Sequence, residues 1–231
     1  MNPILLIPAH NEAPSLAPVI EEARALHPDL PILVVDDAST DDTARVLSAF
    51  PVRRLTLCVR LGLGGAVAAG LTWARRLGHD TVIRIDADGQ HPPRAIAALL
   101  AALGPADVVV GSRFLAPGAK EPGLGKRLAR RVLARALSLL TRQKVTDPTS
   151  GFWAFGPRAV ALLADHHPTG YGEPELLLLL ARNGLKVAEV PTEMRPRLAG
   201  RSTLTWPRVL LALARALLAL IVVPLRTRVN E

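Results

Sequence analysis

Asp86-Ala87-Asp88, with Gln90 two residues further on, sets two carboxylates one residue apart and a third oxygen-bearing side chain close behind. Hard divalent cations such as Mg²⁺ or Mn²⁺ take ligands of this kind and keep open positions for phosphate oxygens, so the triplet suits a metal that carries a diphosphate. A solvated turn is the plain alternative, since isolated D-x-D triplets are common. A phosphatase whose first Asp attacks phosphate is another, but that chemistry wants Thr or Val where Gln90 stands. A second acidic pair, Asp36-Asp37, opens the run Asp36 to Thr43. Ser39 or Thr40 can cap a following helix, with Asp41 and Asp42 matching its macrodipole. Capping leaves Asp36 and Asp37 unexplained; two acids crowded together suit ribose hydroxyls and base N–H donors. Gly62-Leu63-Gly64-Gly65 resembles part of a dinucleotide fingerprint, but Val67 fills the last glycine position. Close packing of helix on sheet, or backbone approach to a nucleotide, accounts for it better.

These groups need a frame that brings them together. Short apolar runs at Ile4–Ile7, Ile32–Val35, Arg54–Val59, Thr81–Ile85 and Val108–Val110 alternate with Ala/Leu-rich stretches at about 14–27, 41–49, 64–78 and 93–103. Alternating strands and helices predict an α/β fold with a mostly parallel sheet flanked by helices. In such sheets ligands bind beyond the carboxyl ends of the strands. The residues there are Pro8 to Glu12, Asp36-Asp37, Gly62 to Gly65, Asp86 to Asp88 and Gly111-Ser112-Arg113; three of these five ends carry carboxylates, which predicts a site. Further on, Ala116 to Gly125 reads as a mobile Pro/Gly loop and Lys126–Leu140 as an amphipathic helix with Arg127, Arg131 and Arg135 four apart. Helices near 157–164 and 173–183, a strand at Lys186–Val190, the basic loop Met194–Arg201 and a hydrophobic segment Val209–Leu225 follow.

The charge is unevenly spread. The 231 residues carry a net charge of +8, and only four of the 28 basic residues are Lys. Half of the 28 fall in two acid-free stretches, Pro122–Thr146 and Met194–Asn230. A solvated helix face is the usual account of a charge run; an unneutralised arginine cluster beside a Pro/Gly loop suits a phosphate-bearing partner or an anionic membrane better. No recognition motif for nucleic acid accompanies the charge, and aromatics at 3% argue against stacking on single strands. Cys58 is the only cysteine, which excludes an internal disulfide and predicts a reducing compartment. The opening residues lack the charged start and apolar length of a secretory leader.

Taken together these motifs resemble the family 2 glycosyltransferases of the GT-A fold, nearest to the branch of dolichol-phosphate mannosyltransferases and bacterial polyprenyl-phosphate glycosyltransferases. The resemblance covers roughly residues 3–204. Ile7-Pro8-Ala9-His10-Asn11-Glu12 is similar to the family's opening P-x-Y-N-E, with His10 replacing the usual aromatic. Val34 to Asp41 resembles its V-D-D-x-S-x-D, and Asp86 to Pro92 its D-A-D-x-Q-H-P. Gly111-Ser112-Arg113, Asp147 to Phe152, Glu189-Val190-Pro191 and Arg197 to Ser202 also correspond.

The resemblance implies that Pro8, His10, Glu12, Val35, Asp36, Asp37, Asp86 and Ala87 bind a nucleotide-sugar, and that Asp86, Asp88 and Gln90 serve Mg²⁺ or Mn²⁺. Asp88, Arg113, Arg130 and Arg197 would carry the chemistry, the arginines facing the donor diphosphate or an acceptor phosphate. The family often has Ser four residues after the arginine at Arg130; this chain has Ala134, which leaves Arg131 as a substitute. The implied reaction is inverting sugar transfer to a polyprenyl phosphate at the cytoplasmic membrane face. Alternatives are a soluble hydroxyl acceptor, for which Glu173 or Glu175 would be the candidate base, and a catalytically silent membrane adaptor. Residues 1–204 would form the catalytic domain. Residues 205–231 would be a membrane-associating helix and basic tail, lying in the interface or paired with a membrane partner protein that shelters Arg215. A buried helix on the catalytic domain is the alternative for that segment.

Overall fold

A computed structural model of the chain describes residues 1–116, 123–168 and 172–198. The elements alternate as expected: β1 (Pro3–Ala9), α1 (Ala13–Leu26), β2 (Ile32–Asp36), α2 (Thr43–Ser48), β3 (Arg53–Thr56), α3 (Gly62–Arg76), β4 (Thr81–Arg84), α4 (Ile96–Ala102) and β5 (Val108–Ser112). After these come α5 (Leu124–Thr141), β6 (Trp153–Phe155), α6 (Pro157–His166), α7 (Glu173–Arg182) and β7 (Val187–Pro191). The strands form one seven-stranded sheet in the order β3-β2-β1-β4-β6-β5-β7. All neighbours pair in parallel except β6, which runs antiparallel between β4 and β5.

β1, β2, β4 and β5 are buried along most of their length because helices cover both faces, which is why their sequences read as unbroken apolar runs. One layer packs Ile4, Leu6, Leu33 and Val35 against α3, α5, α6 and α7; the other packs Leu5, Ile7, Val34 and Ile83 against α1 and α4. α3 lies close on the sheet at Gly70, where an added Cβ would stand 2.4 Å from Leu6 Cδ1 and 3.1 Å from Val35 Cγ2. Gly70 lies outside the glycine run; within the run, an added Cβ at Gly65 would collide with Leu61, so that glycine serves the turn opening α3 rather than a contact with the sheet.

Three expectations are corrected. β6 appears where only turns and helices were anticipated, because three residues between a turn and Pro157 are too few to show a period. The third strand stops at Thr56 rather than Val59. No Ser39 or Thr40 side chain caps α2; instead Asp41 Oδ1 accepts the Thr43 N–H at 2.9 Å, and Ser39 and Thr40 bond to Asn11. The segment Val209–Leu225, the C-terminal region 205–231 and most of the Pro/Gly loop lie outside the described residues.

Candidate active site

The carboxyl ends of β1, β2 and β4 lie side by side, since the register pairs Pro8 with Val35, Ala9 with Asp36, and Leu6 with Arg84. The predicted nucleotide-binding residues therefore share one edge. The loops after β1 and β2 are stitched together: Asn11 N–H donates to Ser39 Oγ at 3.0 Å, Thr40 N–H to Asn11 Oδ1 at 2.8 Å, and Glu12 N–H to Thr43 Oγ1 at 3.0 Å. His10 Nδ1 lies 2.8 Å from the Asp37 carbonyl. Asn11 and Ala38 both take left-handed backbone there, the kind of strain that stable surroundings hold at functional sites.

Asp36 and Asp37 are both buried, and each is engaged by the fold. Asp36 Oδ1 accepts the Ser39 N–H at 3.0 Å. Asp37 accepts the N–H groups of Leu61 and Gly62 at 2.6 and 2.8 Å, so it anchors the loop that opens α3. Glu12 accepts the Ser15 hydroxyl at 2.7 Å; burial, together with the charges of Asp88 and Asp86, raises its pKa against the opposing pull of Ser15 and Arg197.

The D-x-D turn follows β4. Asp86 is 31% exposed, whereas Asp88 is buried. Asp88 Oδ1 accepts the Gln90 N–H at 3.0 Å and Oδ2 pairs with Arg197 Nη1 at 3.0 Å. The segment after β7 is laced across this turn: Leu198 N–H donates to the Asp88 carbonyl and Arg195 N–H to that of Gln90, both at 3.0 Å. Gly89 has φ of 77° and carries Leu198 against it, leaving no room for a side chain. Arg197 was expected against a phosphate; here it neutralises the second carboxylate of the turn. His91 is buried against Phe152, and its Nδ1 accepts the Asp86 N–H at 2.9 Å. Burial lowers its pKa, so the ring is neutral and its 3.8 Å approach to the Asp86 carboxylate is not an ion pair.

A second cluster stands beyond β5. Arg113 is gripped bidentately by Asp147, with Nε and Nη2 each 2.7 Å from a carboxylate oxygen, and Nη2 also reaches Thr149 Oγ1 at 2.7 Å. Burial alone would lower its pKa; Asp147 more than offsets this, aided by Glu173 and Asp86, and holds it raised. Arg130 lies 3.7 Å over the Phe114 ring and donates to the Thr146 carbonyl at 3.1 Å, while Arg113 lies 5.4 Å from the same ring. Of the two arginines left open by the sequence, Arg130 joins this cluster and Arg131 is exposed. Glu189 on β7 secures the loop from below by accepting Thr146 and Asp147 N–H groups at 2.8 and 3.1 Å. Asp147 and Glu189 belonged to recognised motifs, but only the fold reveals what each one holds. Arg84 carried no motif at all.

Among the described residues, no three carboxylate, imidazole or thiolate groups converge into a self-sufficient ion site. The donor set nevertheless fits a divalent cation whose shell is completed by diphosphate oxygens, the usual habit of Mg²⁺. Asp86 is reachable from solvent, while Asp88 is buried against Arg197.

Residues 4–161 match the family described as Glycosyl transferase family 2. An undecaprenyl-phosphate mannosyltransferase of Micrococcus luteus is 34% identical, with 89% of this chain and 88% of that protein covered. A dolichol-phosphate mannosyltransferase of Mycosarcoma maydis is 30% identical, with 87% and 72% covered. Among solved structures, glucosyl-3-phosphoglycerate synthase from Mycobacterium tuberculosis, in complex with Mn²⁺, uridine diphosphate and phosphoglyceric acid, superposes with a TM-score of 0.70 at 23% identity over 95% of this chain and 77% of that one. The last likeness shows the fold, that of GT-A glycosyltransferases. The chain belongs to glycosyl transferase family 2 and is a glycosyltransferase.

Proposed function

We propose that this family 2 enzyme transfers a sugar, with inversion and with Mg²⁺ or Mn²⁺, from a nucleotide-sugar to a polyprenyl phosphate at the cytoplasmic face of a membrane. The observation that carries the reading is the pair of clusters at one sheet edge, with carboxylates at Asp86 and Asp88 and guanidinium groups at Arg113 and Arg130 around Phe114. The mannosyltransferase relatives, whose names give polyprenyl-phosphate acceptors, support the choice of acceptor.

The loops bearing Pro8, His10, Glu12, Asp36 and Asp37 would seat the nucleoside beside Val35 and Ala87. Asp86, Asp88 and Gln90 would hold the cation, which when bound neutralises the charge that develops on the leaving diphosphate. Arg113, fixed by Asp147, presents an already oriented cation to a phosphate, so little ordering remains at the moment of reaction. A lipid phosphate is anionic at neutral pH; one of its oxygens bonds to the anomeric carbon as the bond to the diphosphate oxygen breaks, and no proton need be removed. A hydroxyl acceptor would need a base, but Glu173 faces Arg84 and Glu175 is buried, which favours the phosphate. Arg197 pairs with Asp88 through one nitrogen, and its remaining guanidinium donors would be available to a phosphate.

Membrane contact is supported by α5. Leu128, Val132 and Leu139 are exposed along it, Leu139 to 80%, next to exposed Arg131 and Arg135. Apolar side chains flanked by arginine suit the boundary between acyl chains and anionic headgroups. A cavity of about 520 Å³ between Arg130, Thr146 and Leu139 links that face to the arginine cluster. Among the described residues no helix is long and apolar enough to cross a membrane. The test is incubation of the purified protein with a panel of nucleotide-sugars, Mn²⁺ and a polyprenyl phosphate, scored for lipid-linked sugar. Transfer to soluble hydroxyl acceptors with none to the lipid would overturn the acceptor assignment.

A further inference from the structure

Behind the D-x-D turn the chain buries a charge that the reaction as described does not use. Arg84 ends β4, and its side chain is 3% exposed. Its Nη2 lies 3.4 Å from Asp86 Oδ1, and Nη1 and Nη2 both lie 3.4 Å from Glu173 Oε1 in the first turn of α7. Its Nε makes no hydrogen bond. Positions 82, 84 and 86 share a parity, and Val82 belongs to the core layer that α7 helps to form; this is why Arg84 meets Glu173 from below and Asp86 from behind.

A guanidinium is costly to bury unless carboxylates compensate it. Here two carboxylates share one, so the three groups carry a net charge of −1 where Asp86 and Glu173 alone would carry −2. An apolar residue at this position would pack in the strand without the desolvation cost.

We propose that Arg84 is a positioning residue of the cation site, an inference that rests on the metal-dependent reading above. It turns one oxygen of Asp86 inward, fixes the carboxylate against the start of α7 through Glu173, and lowers the negative charge offered to the ion by one unit. The site then holds its cation less tightly but in a set orientation, which suits an ion that must serve a diphosphate through repeated cycles of donor binding and release.

The test is Mn²⁺ titration by calorimetry into the full-length chain without nucleotide, alongside steady-state transfer to a polyprenyl phosphate. Arg84→Met should bind Mn²⁺ about tenfold more tightly, because a nearby positive charge has been removed. Its kcat should nevertheless fall by about 10- to 100-fold, since Asp86 is no longer fixed. Arg84→Lys should recover part of kcat, as one ammonium cannot serve both carboxylates as a planar fork does. Glu173→Gln should weaken Mn²⁺ binding by about tenfold, because the net charge rises by one. A residue that only supported the fold would lower the melting temperature and weaken ion binding and turnover together. Wild-type Mn²⁺ affinity and kcat in Arg84→Met overturns the inference; if that variant does not fold, unchanged Mn²⁺ affinity in Glu173→Gln overturns it. A wild-type chain that binds no Mn²⁺ and transfers sugar in excess chelator removes the metal reading itself, and this inference with it. A wild-type chain that binds Mn²⁺ beside indifferent variants removes the Arg84 inference alone.

Discussion

Asp88 shows how one side chain can be read correctly for type and still hold a surprise in its contacts. Both of its oxygens are occupied, by the Gln90 N–H and by Arg197. Asp88→Asn keeps the shape and the Gln90 contact but removes one ligand charge. Turnover should fall by about 100-fold or more, since the outer contacts of a metal site alone are worth about 10- to 100-fold, and the melting temperature should also fall because the amide no longer pairs with Arg197. EDTA should mimic the variant and Mn²⁺ should reverse it; wild-type rates in excess chelator would exclude a metal. The residue types at 86, 88 and 90 were legible in the sequence because the D-x-D chemistry is local to five residues. The pairing of Arg197 with Asp88 was not, because it joins positions 109 residues apart.

At the scale of elements, α3 sets the distance between the helical layer and the sheet. Gly70→Ala puts a methyl group into the buried space of Leu6 and Val35, and overpacking of this kind costs about 1–3 kcal/mol. The gain in helix propensity returns about 1 kcal/mol, so a net loss of up to about 2 kcal/mol is expected in urea unfolding. An equal or higher midpoint would mean that α3 shifts without strain. The repeated apolar runs made β1, β2, β4 and β5 legible, since helices cover both of their faces. β6 escaped because an antiparallel strand of three residues, inserted between β4 and β5, leaves no periodic trace.

For the whole molecule, burial of histidine ties stability to pH. His167 has its pKa lowered to about 4, chiefly by burial and then by the charge of Arg84, against the opposing pull of the Pro168 backbone. The unfolded ring binds its proton near pH 6.5 and the folded ring only near pH 4. The unfolded state therefore holds more protons between these values, and stability is present above about pH 6.5 and lost as pH falls towards 4. The loss from this ring is at most roughly 3 kcal/mol, and His91, lowered by burial, acts in the same direction. His167→Leu should narrow the gap between urea midpoints at low and neutral pH; an unchanged gap would mean that the ring titrates normally. The exposed face of α5 is a property of the whole molecule too, because the same helix carries Arg130 on another side. Replacing both Leu128 and Leu139 with Glu should abolish sedimentation with anionic liposomes and leave nucleotide binding intact. Undiminished sedimentation would move the contact elsewhere on the chain.

The sequence by itself determined the layered α/β frame, the edge where ligands collect and the acidic and basic groups that gather there. Each of these follows from a local cause: apolar runs that need two covered faces, and polar residues that end them. Tertiary structure alone decided how those charges are shared. Asp37 anchors the loop that opens α3, Asp147 grips Arg113, Arg197 neutralises Asp88, and Arg84 lies buried between Asp86 and Glu173. The reason is electrostatic: an ionised group taken out of water must find a counter-charge or a donor. Which one it finds depends on distances across the fold, and no spacing along the chain encodes them.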